Sequence, residues 1–214
     1  IPQWSMDPLY MDFNICPGLR NFAADTHTAC VPNFLPAGNV SRPSISSLMS
    51  GIYDSGMELN EKEMFWNNTL PTALAAQIKR LGYQTIYWYG GNSSSGNFTK
   101  YGKAQGFDRI ENATEFCGPQ APQTWLGVYD HVFLEEAAKR IVNMDEPTFH
   151  FVYTTTNHGP YKLEDKYLDF DALRDLPGVG DDILNRKDGN KGLATYKYCD
   201  KAIFDFVDAM KAKF

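Results

Sequence analysis

Two apolar runs constrain this chain most: "QTIYWYGG" at residues 84–91 and "PTFHFVYTTTNHGPY" at residues 147–161. The first is rich in β-branched and aromatic residues and closes on two glycines. The second ends in a polar loop that holds His158, Gly159 and Pro160. Both read as strands. The segment "TLPTALAAQIKRLGY" reads as an amphipathic helix ended by Gly82. "LGVYDHVFLEEAAKRIVNMD" reads as a second helix, with Leu126, Val128, Val132, Phe133, Ala137 and Ile141 on or near one side. Helices alternating with apolar strands, without hairpin signals, predict an α/β fold with a mainly parallel central sheet flanked by helices. In such sheets the site lies at the carboxyl ends of the strands. Ser41 and His158 both follow extended runs there.

The rest of the chain is read around this frame. Residues 1–16 are irregular, and a short helix is predicted behind Pro17 with Leu19, Phe22 and Ala23 at helical spacing. "HTACVPNFLPAG" reads as an extended edge segment. Residues 91–125, rich in Asn, Ser, Gly and Pro, read as a long connection carrying binding groups. "KGLATYKYCDKAIFDFVDAMKAKF" reads as the final helix.

The bulk properties exclude some functions. With 214 residues and 43% hydrophobic content, the chain is long enough for one substantial core, and one domain over 1–214 is the default. A net charge of -6 without a run of Lys or Arg leaves no electrostatic footprint for nucleic acid or an anionic membrane surface. No stretch approaches the roughly 18 consecutive apolar residues of a membrane span. Cys16, Cys30, Cys117 and Cys199 lack CxxC spacing. They allow two disulfides in an oxidising compartment or buried thiols, with disulfides the preferred reading. The sequons at Asn39, Asn67, Asn92, Asn97 and Asn112 read as surface loops.

Chemistry concentrates in "GNVSRPSISSLMSGIY", residues 38–53, with five serines. Ile45, Leu48 and Met49 fit a helical face, Pro43 sits near the first helical position, and Gly51 is a C-terminal stop. Ser41 then stands at the mouth of a helix N-terminus, where unpaired N–H groups and the dipole favour an anion. Two readings stay open: a nucleophile, or an N-cap. Arg42 beside it is either a clamp for the oxygens of a transferred group or a solvated surface charge. Asp130 and His131 lie inside a predicted helix and read as structural, and His27 and His150 read as packing residues.

"SRPSISSLMSG" resembles the nucleophile segment of the alkaline-phosphatase-like sulfatase superfamily, with Ser41, Pro43, Ser44, Leu48, Met49, Ser50 and Gly51 in register. Ile45 stands where the sulfatase pattern has arginine. That difference favours the branch of lipoteichoic acid synthases and phosphoglycerol or phosphoethanolamine transferases. Three further segments resemble this branch. In "YQTIYWYGGNSSSGNF", Tyr89 replaces an expected histidine, and Phe98 and Lys100 approximate an aromatic and an arginine. "TWLGVYDHVFLEEA" matches a Trp-Gly-x-x-Asp segment at Trp125, Gly127 and Asp130, with a structural role. "FHFVYTTTNHGPY" brings His158 to a substrate-contacting position.

The resemblance implies metal-dependent transfer of a phosphoryl headgroup from a phospholipid donor to a glycan or lipid acceptor of the cell envelope, through a covalent Ser41 intermediate. It implies Ser41 as catalytic residue and metal ligand, and His158, Arg42, Tyr89 and Lys100 as substrate contacts. The cofactor would be a divalent ion (Mn, Mg or Zn), and the location extracytoplasmic and membrane-anchored. A sulfate or phosphate ester hydrolase and a non-catalytic anion-binding domain are the alternatives. The acidic first-strand ligand and the Asp-His-Gly of the superfamily's metal site are absent from this sequence. The expectation is a partial catalytic domain, inactive by itself, whose remaining ligands lie elsewhere in a longer chain.

Overall fold

The computed structural model describes residues 14–31, 34–38, 40–169 and 187–213. The chain divides into two compact units. One takes in Val31–Gln120 and Asn143–Tyr153, the other Ile1–Cys30, Ala121–Val142 and Thr154–Phe214.

The first unit holds the sheet. Its strands are β1 (Gln84–Tyr89), β2 (Arg109–Asn112) and β3 (Thr148–Tyr153), in the order β2-β1-β3 and all parallel. The α/β expectation is met, with β1 central and buried from Thr85 to Tyr89. Alternation along β1 sends Tyr87 and Tyr89 to one face and Ile86 and Trp88 to the other. On the first face Tyr87 packs with Phe107 and Phe151, ring centroids 5.7 Å apart in both pairs. On the second, the Trp88 ring meets Phe116 edge-on, and its indole N–H donates to Nδ1 of His150 at 3.0 Å. The two runs thus form one aromatic interior rather than two separate strands.

Helices α2 (Ser41–Ser50), α3 (Leu74–Lys79), α4 (Phe98–Ala104) and α5 (Ala113–Phe116) complete this unit. The predicted connection over 91–125 therefore contains two helices and a strand. Its polar composition hides a short apolar set, Phe98, Tyr101, Phe107 and Ile110, which packs against the sheet. Residues 28–31 and 34–36 carry no strand, contrary to the predicted edge segment. Asn112, read as a loop sequon, is a buried strand end whose side chain pairs with Thr99 and Glu115. Asn39 lies outside the described residues.

The second unit is built on helices α1 (Pro17–Ala24), α6 (Asp130–Ile141) and α7 (Lys187–Lys211), with α1 and α6 both packed on α7. Asp200 of α7 accepts hydrogen bonds from the N–H groups of Gly18 (2.7 Å) and Leu19 (2.9 Å), satisfying donors that the first turn of α1 leaves open. A Cβ at Gly18 would lie 2.7 Å from Phe204, so the close approach of these helices requires glycine there. Leu126 and Val128 lie in the turn before α6, not on the helix. All four cysteines are free thiols, against the preferred disulfide reading. Cys16 and Cys199 are buried and Cys30 is exposed. Burial pushes the Cys199 thiol well above its ordinary range.

The Trp88–His150 pair ties stability to pH. The indole can only donate, so Nδ1 of His150 must be an unprotonated acceptor. Burial, reinforced by the charge of Arg109, holds His150 below the ordinary histidine range. A folded-state value below the unfolded one means the contribution is present above about pH 6.5 and lost as pH falls through the folded value. The urea midpoint is expected to fall from pH 7.5 to pH 5, with a smaller slope in His150→Gln. An unchanged slope in that variant would remove His150 from this account.

Candidate functional site

The site begins with the serine-rich helix. Ser41 is the first residue of α2, and the preceding Val40 is extended with no side-chain cap. Ser41 is thus not the cap, and its exposed hydroxyl is left for another role. Pro43 has no N–H, and Ser44 N already donates to Val40 O at 3.3 Å. The N–H groups of Ser41 and Arg42 therefore have no intrahelical acceptor. Ser44 directs its hydroxyl at the carbonyls of Val40 (2.9 Å) and Gly38 (3.1 Å), which fixes the entry into the helix. Gly51, at φ 69°, closes α2 through its N–H to Ser47 O, as the glycine stop predicted.

Ser46 and Ser47 are buried. Ser46 Oγ donates to Asn60 Oδ1 at 2.8 Å, Ser47 Oγ accepts from Asp54 N at 2.8 Å, and Ser50 Oγ donates to Ser46 O at 2.7 Å. Asp54 in turn accepts from the N–H groups of Glu58 and Leu59, at 3.0 and 2.9 Å. The hydroxyls thus anchor the following loop and hold α2 in place.

At the carboxyl ends of β1 and β3, Tyr89 and Tyr153 are paired in register, and their rings stack with centroids 5.4 Å apart. The Ser41 hydroxyl neighbours the Tyr153 phenol, and the Ser95 hydroxyl neighbours Tyr89. Burial raises both phenols above their ordinary range, while these hydroxyls and the Arg42 charge act in the opposite direction. A Cβ at Gly91 would collide with the phenol end of Tyr89, so the second glycine of "YGG" makes room for that ring. Arg42 lies 3.7 Å from Glu61, whose other oxygen accepts from Asn97 Nδ2 at 2.6 Å. Tyr89 and Tyr153 share this edge with α2, and the Arg42 charge acts on both phenols. Lys100 is placed with its ammonium 4.7 Å over the Trp66 ring. Sequence reading missed Tyr153 and Glu61, although Tyr153 is the last residue of the predicted strand.

His158 belongs to the second unit. It is exposed, with its ring edge-on to Trp125 at 5.2 Å and Nδ1 2.6 Å from Gly159 O. The backbone leading to it is held by Asp130, the first residue of α6. One carboxylate oxygen accepts from the N–H groups of both Thr155 and Thr156 at 3.1 Å, while Thr156 Oγ1 accepts from Asp130 N at 2.8 Å. Burial pushes the Asp130 carboxyl up, opposed by these hydrogen bonds. The segment from Trp125 to Asp130 therefore does more than start a helix: its two ends hold the ring and the backbone of the His158 loop.

A family model described as Sulfatase matches residues 12–213. The chain belongs to the sulfatase family. A relative described as lipoteichoic acid synthase-like YvgJ from Bacillus subtilis is 30% identical over 106 residues, half of this chain and 16% of that protein. The lipoteichoic acid synthase LtaP from Listeria monocytogenes has the same fold, with a TM-score of 0.78 at 16% identity over 93% of this chain and 47% of that one. The C-terminal periplasmic domain of EcEptC from Escherichia coli, solved in complex with Zn, matches at a TM-score of 0.66 and 15% identity, over 92% and 53%. The chain thus spans about half the length of these solved structures and far less of the curated relative.

A divalent cation needs several oxygen or nitrogen donors. Among the described residues no group of three or more His, Cys, Asp and Glu side chains could hold one, and the first turn of α2 carries no acid. Ser41 offers one oxygen, which does not make a metal site.

Asp130→Ala would leave two buried N–H groups unpaired, at a cost of about 2–4 kcal/mol. Its urea unfolding should show that loss, with faster hydrogen exchange at residues 155 and 156 than elsewhere. Protection at those two amides equal to wild type would contradict the tethering role.

Proposed function

We propose that this chain is part of a transferase that moves a phosphoryl headgroup, phosphoglycerol or phosphoethanolamine, from a phospholipid to a cell-envelope acceptor through Ser41. One observation carries the reading: an exposed, uncapping hydroxyl on the first residue of a helix, with an arginine beside it. The helix N-terminus favours the negative charge that gathers on a phosphoryl group, and Arg42 supplies a guanidinium to its oxygens. For this, Arg42 would exchange part of its pairing with Glu61, which is loose at 3.7 Å.

The chemistry is two displacements at phosphorus. Ser41 Oγ bonds to phosphorus as the bond to the diacylglycerol oxygen breaks; that oxygen gains a proton and the serine loses one. The acceptor hydroxyl then bonds to phosphorus, Ser41 Oγ leaves and is reprotonated. His158 would bind or protonate an oxygen of donor or acceptor, and Tyr89 and Lys100 would serve as further substrate contacts. The divalent cation of such a reaction, Mn, Mg or Zn, would take Ser41 as one ligand and its others from outside the described residues.

Ile45 favours transfer over sulfate ester hydrolysis. Where the sulfatase pattern has arginine, this side chain packs on the aromatic core and offers no charge to a sulfate. The extracytoplasmic location rests on the same relationship. Among the described residues no helix is long and apolar enough to cross a membrane, so an anchor would lie elsewhere.

Ser41→Ala in the full-length protein tests the reading, with phosphatidylglycerol and phosphatidylethanolamine supplied in separate vesicles. Headgroup transfer is expected from one donor and should fall by at least about a thousandfold in the variant. Transfer within a few-fold of wild type in Ser41→Ala would overturn it.

A further inference from the structure

Glu61 is tied to the nucleophile helix through its neighbour. Ser46 of α2 donates to Asn60 Oδ1 at 2.8 Å, and Asn60 is fixed further by its amide donating to Gly96 O at 2.6 Å and its carbonyl accepting from Trp66 Nε1 at 2.8 Å. The backbone that carries Glu61 is therefore held in place relative to α2. Asn97, at φ 51°, turns its amide to Glu61 Oε2 at 2.6 Å, which fixes one side of the carboxylate. The other side is less well filled. Asn60 Nδ2 reaches Oε1 only at 3.4 Å and Arg42 Nη1 only at 3.7 Å, and the Glu61 side chain is 28% exposed. A fixed carboxylate thus presents one loosely bonded oxygen beside the arginine that follows Ser41.

We infer that Glu61 is a specificity-determining residue that receives the ammonium of an ethanolamine headgroup, making phosphatidylethanolamine the preferred donor. This rests on Ser41 and Arg42 handling the phosphoryl group. When Arg42 turns to the phosphoryl oxygens, Glu61 Oε1 gives up the guanidinium beside it. In phosphoethanolamine two carbons separate the phosphate oxygen from a cation, so the ligand that draws Arg42 away also brings an ammonium to replace it. A glycerol headgroup brings hydroxyls, which donate hydrogen bonds but leave the part-buried carboxylate without a counter-charge. That loss grows as the bound headgroup excludes water and the local dielectric falls.

The test uses the full-length protein with phosphatidylethanolamine or phosphatidylglycerol vesicles, and compares wild type with Glu61→Gln and with the exposed control Glu63→Gln. Glu61→Gln keeps an oxygen for Asn97 and removes the charge. Wild type should favour phosphatidylethanolamine by about tenfold or more in kcat/KM, a preference that falls to about twofold or less in Glu61→Gln and persists in Glu63→Gln. A wild-type preference for phosphatidylglycerol, or an unchanged preference in Glu61→Gln, overturns the inference and leaves the Ser41 nucleophile standing. Calorimetric titration of Ser41→Ala gives a check that needs no turnover. Soluble phosphoethanolamine should bind about tenfold more tightly than glycerol phosphate, and the two should bind alike once Glu61→Gln is added. Equal binding without that second change overturns the inference. Headgroup transfer persisting in Ser41→Ala sinks the nucleophile itself, a failure that these binding ratios keep distinct.

Discussion

The parallel pairing of β1 with β3 is the constraint on which the first unit depends. It sets Tyr87 opposite Phe151 and Tyr89 opposite Tyr153, so the face that forms the aromatic core also delivers two phenols to the carboxyl edge. A slip of one residue would send those rings to the opposite face. Burial of these rings therefore stabilises the unit and places the site in one act.

The nucleophile helix meets that edge by a different kind of interaction. α2 has few large apolar residues, and its position comes from buried hydroxyls bonded to Asn60, Asp54 and its own backbone. Such polar contacts fix direction more sharply than apolar packing does, because a buried donor left without its acceptor costs about 1–3 kcal/mol. The buried Ser46 and Ser47 are thus the residues that anchor Ser41's helix.

Much of this was legible in the sequence. The two apolar runs announced parallel strands, and proline, serine and glycine at fixed spacing announced α2 and its stop at Gly51. The elements over 91–125 were not legible, since α4 and β2 are short and their apolar residues are scattered among Asn, Ser and Gly; tertiary packing on β1 decides them. In the site, Ser41, Arg42 and Tyr89 came from a motif. Tyr153 could not, because its pairing with Tyr89 depends on strand register, which no local pattern states. The pairing of Arg42 with Glu61 escaped for the same reason, being made across 19 positions of chain that has no motif of its own.

The central claim is that Ser41, unmodified at rest, carries the headgroup during turnover. Peptide mass spectrometry of the full-length protein, quenched during reaction with phospholipid, addresses it directly. The account predicts a plain serine at position 41 before substrate is added, and a phosphoglycerol or phosphoethanolamine adduct on that residue afterwards. Formylglycine at position 41, or the adduct on a different residue, would contradict it.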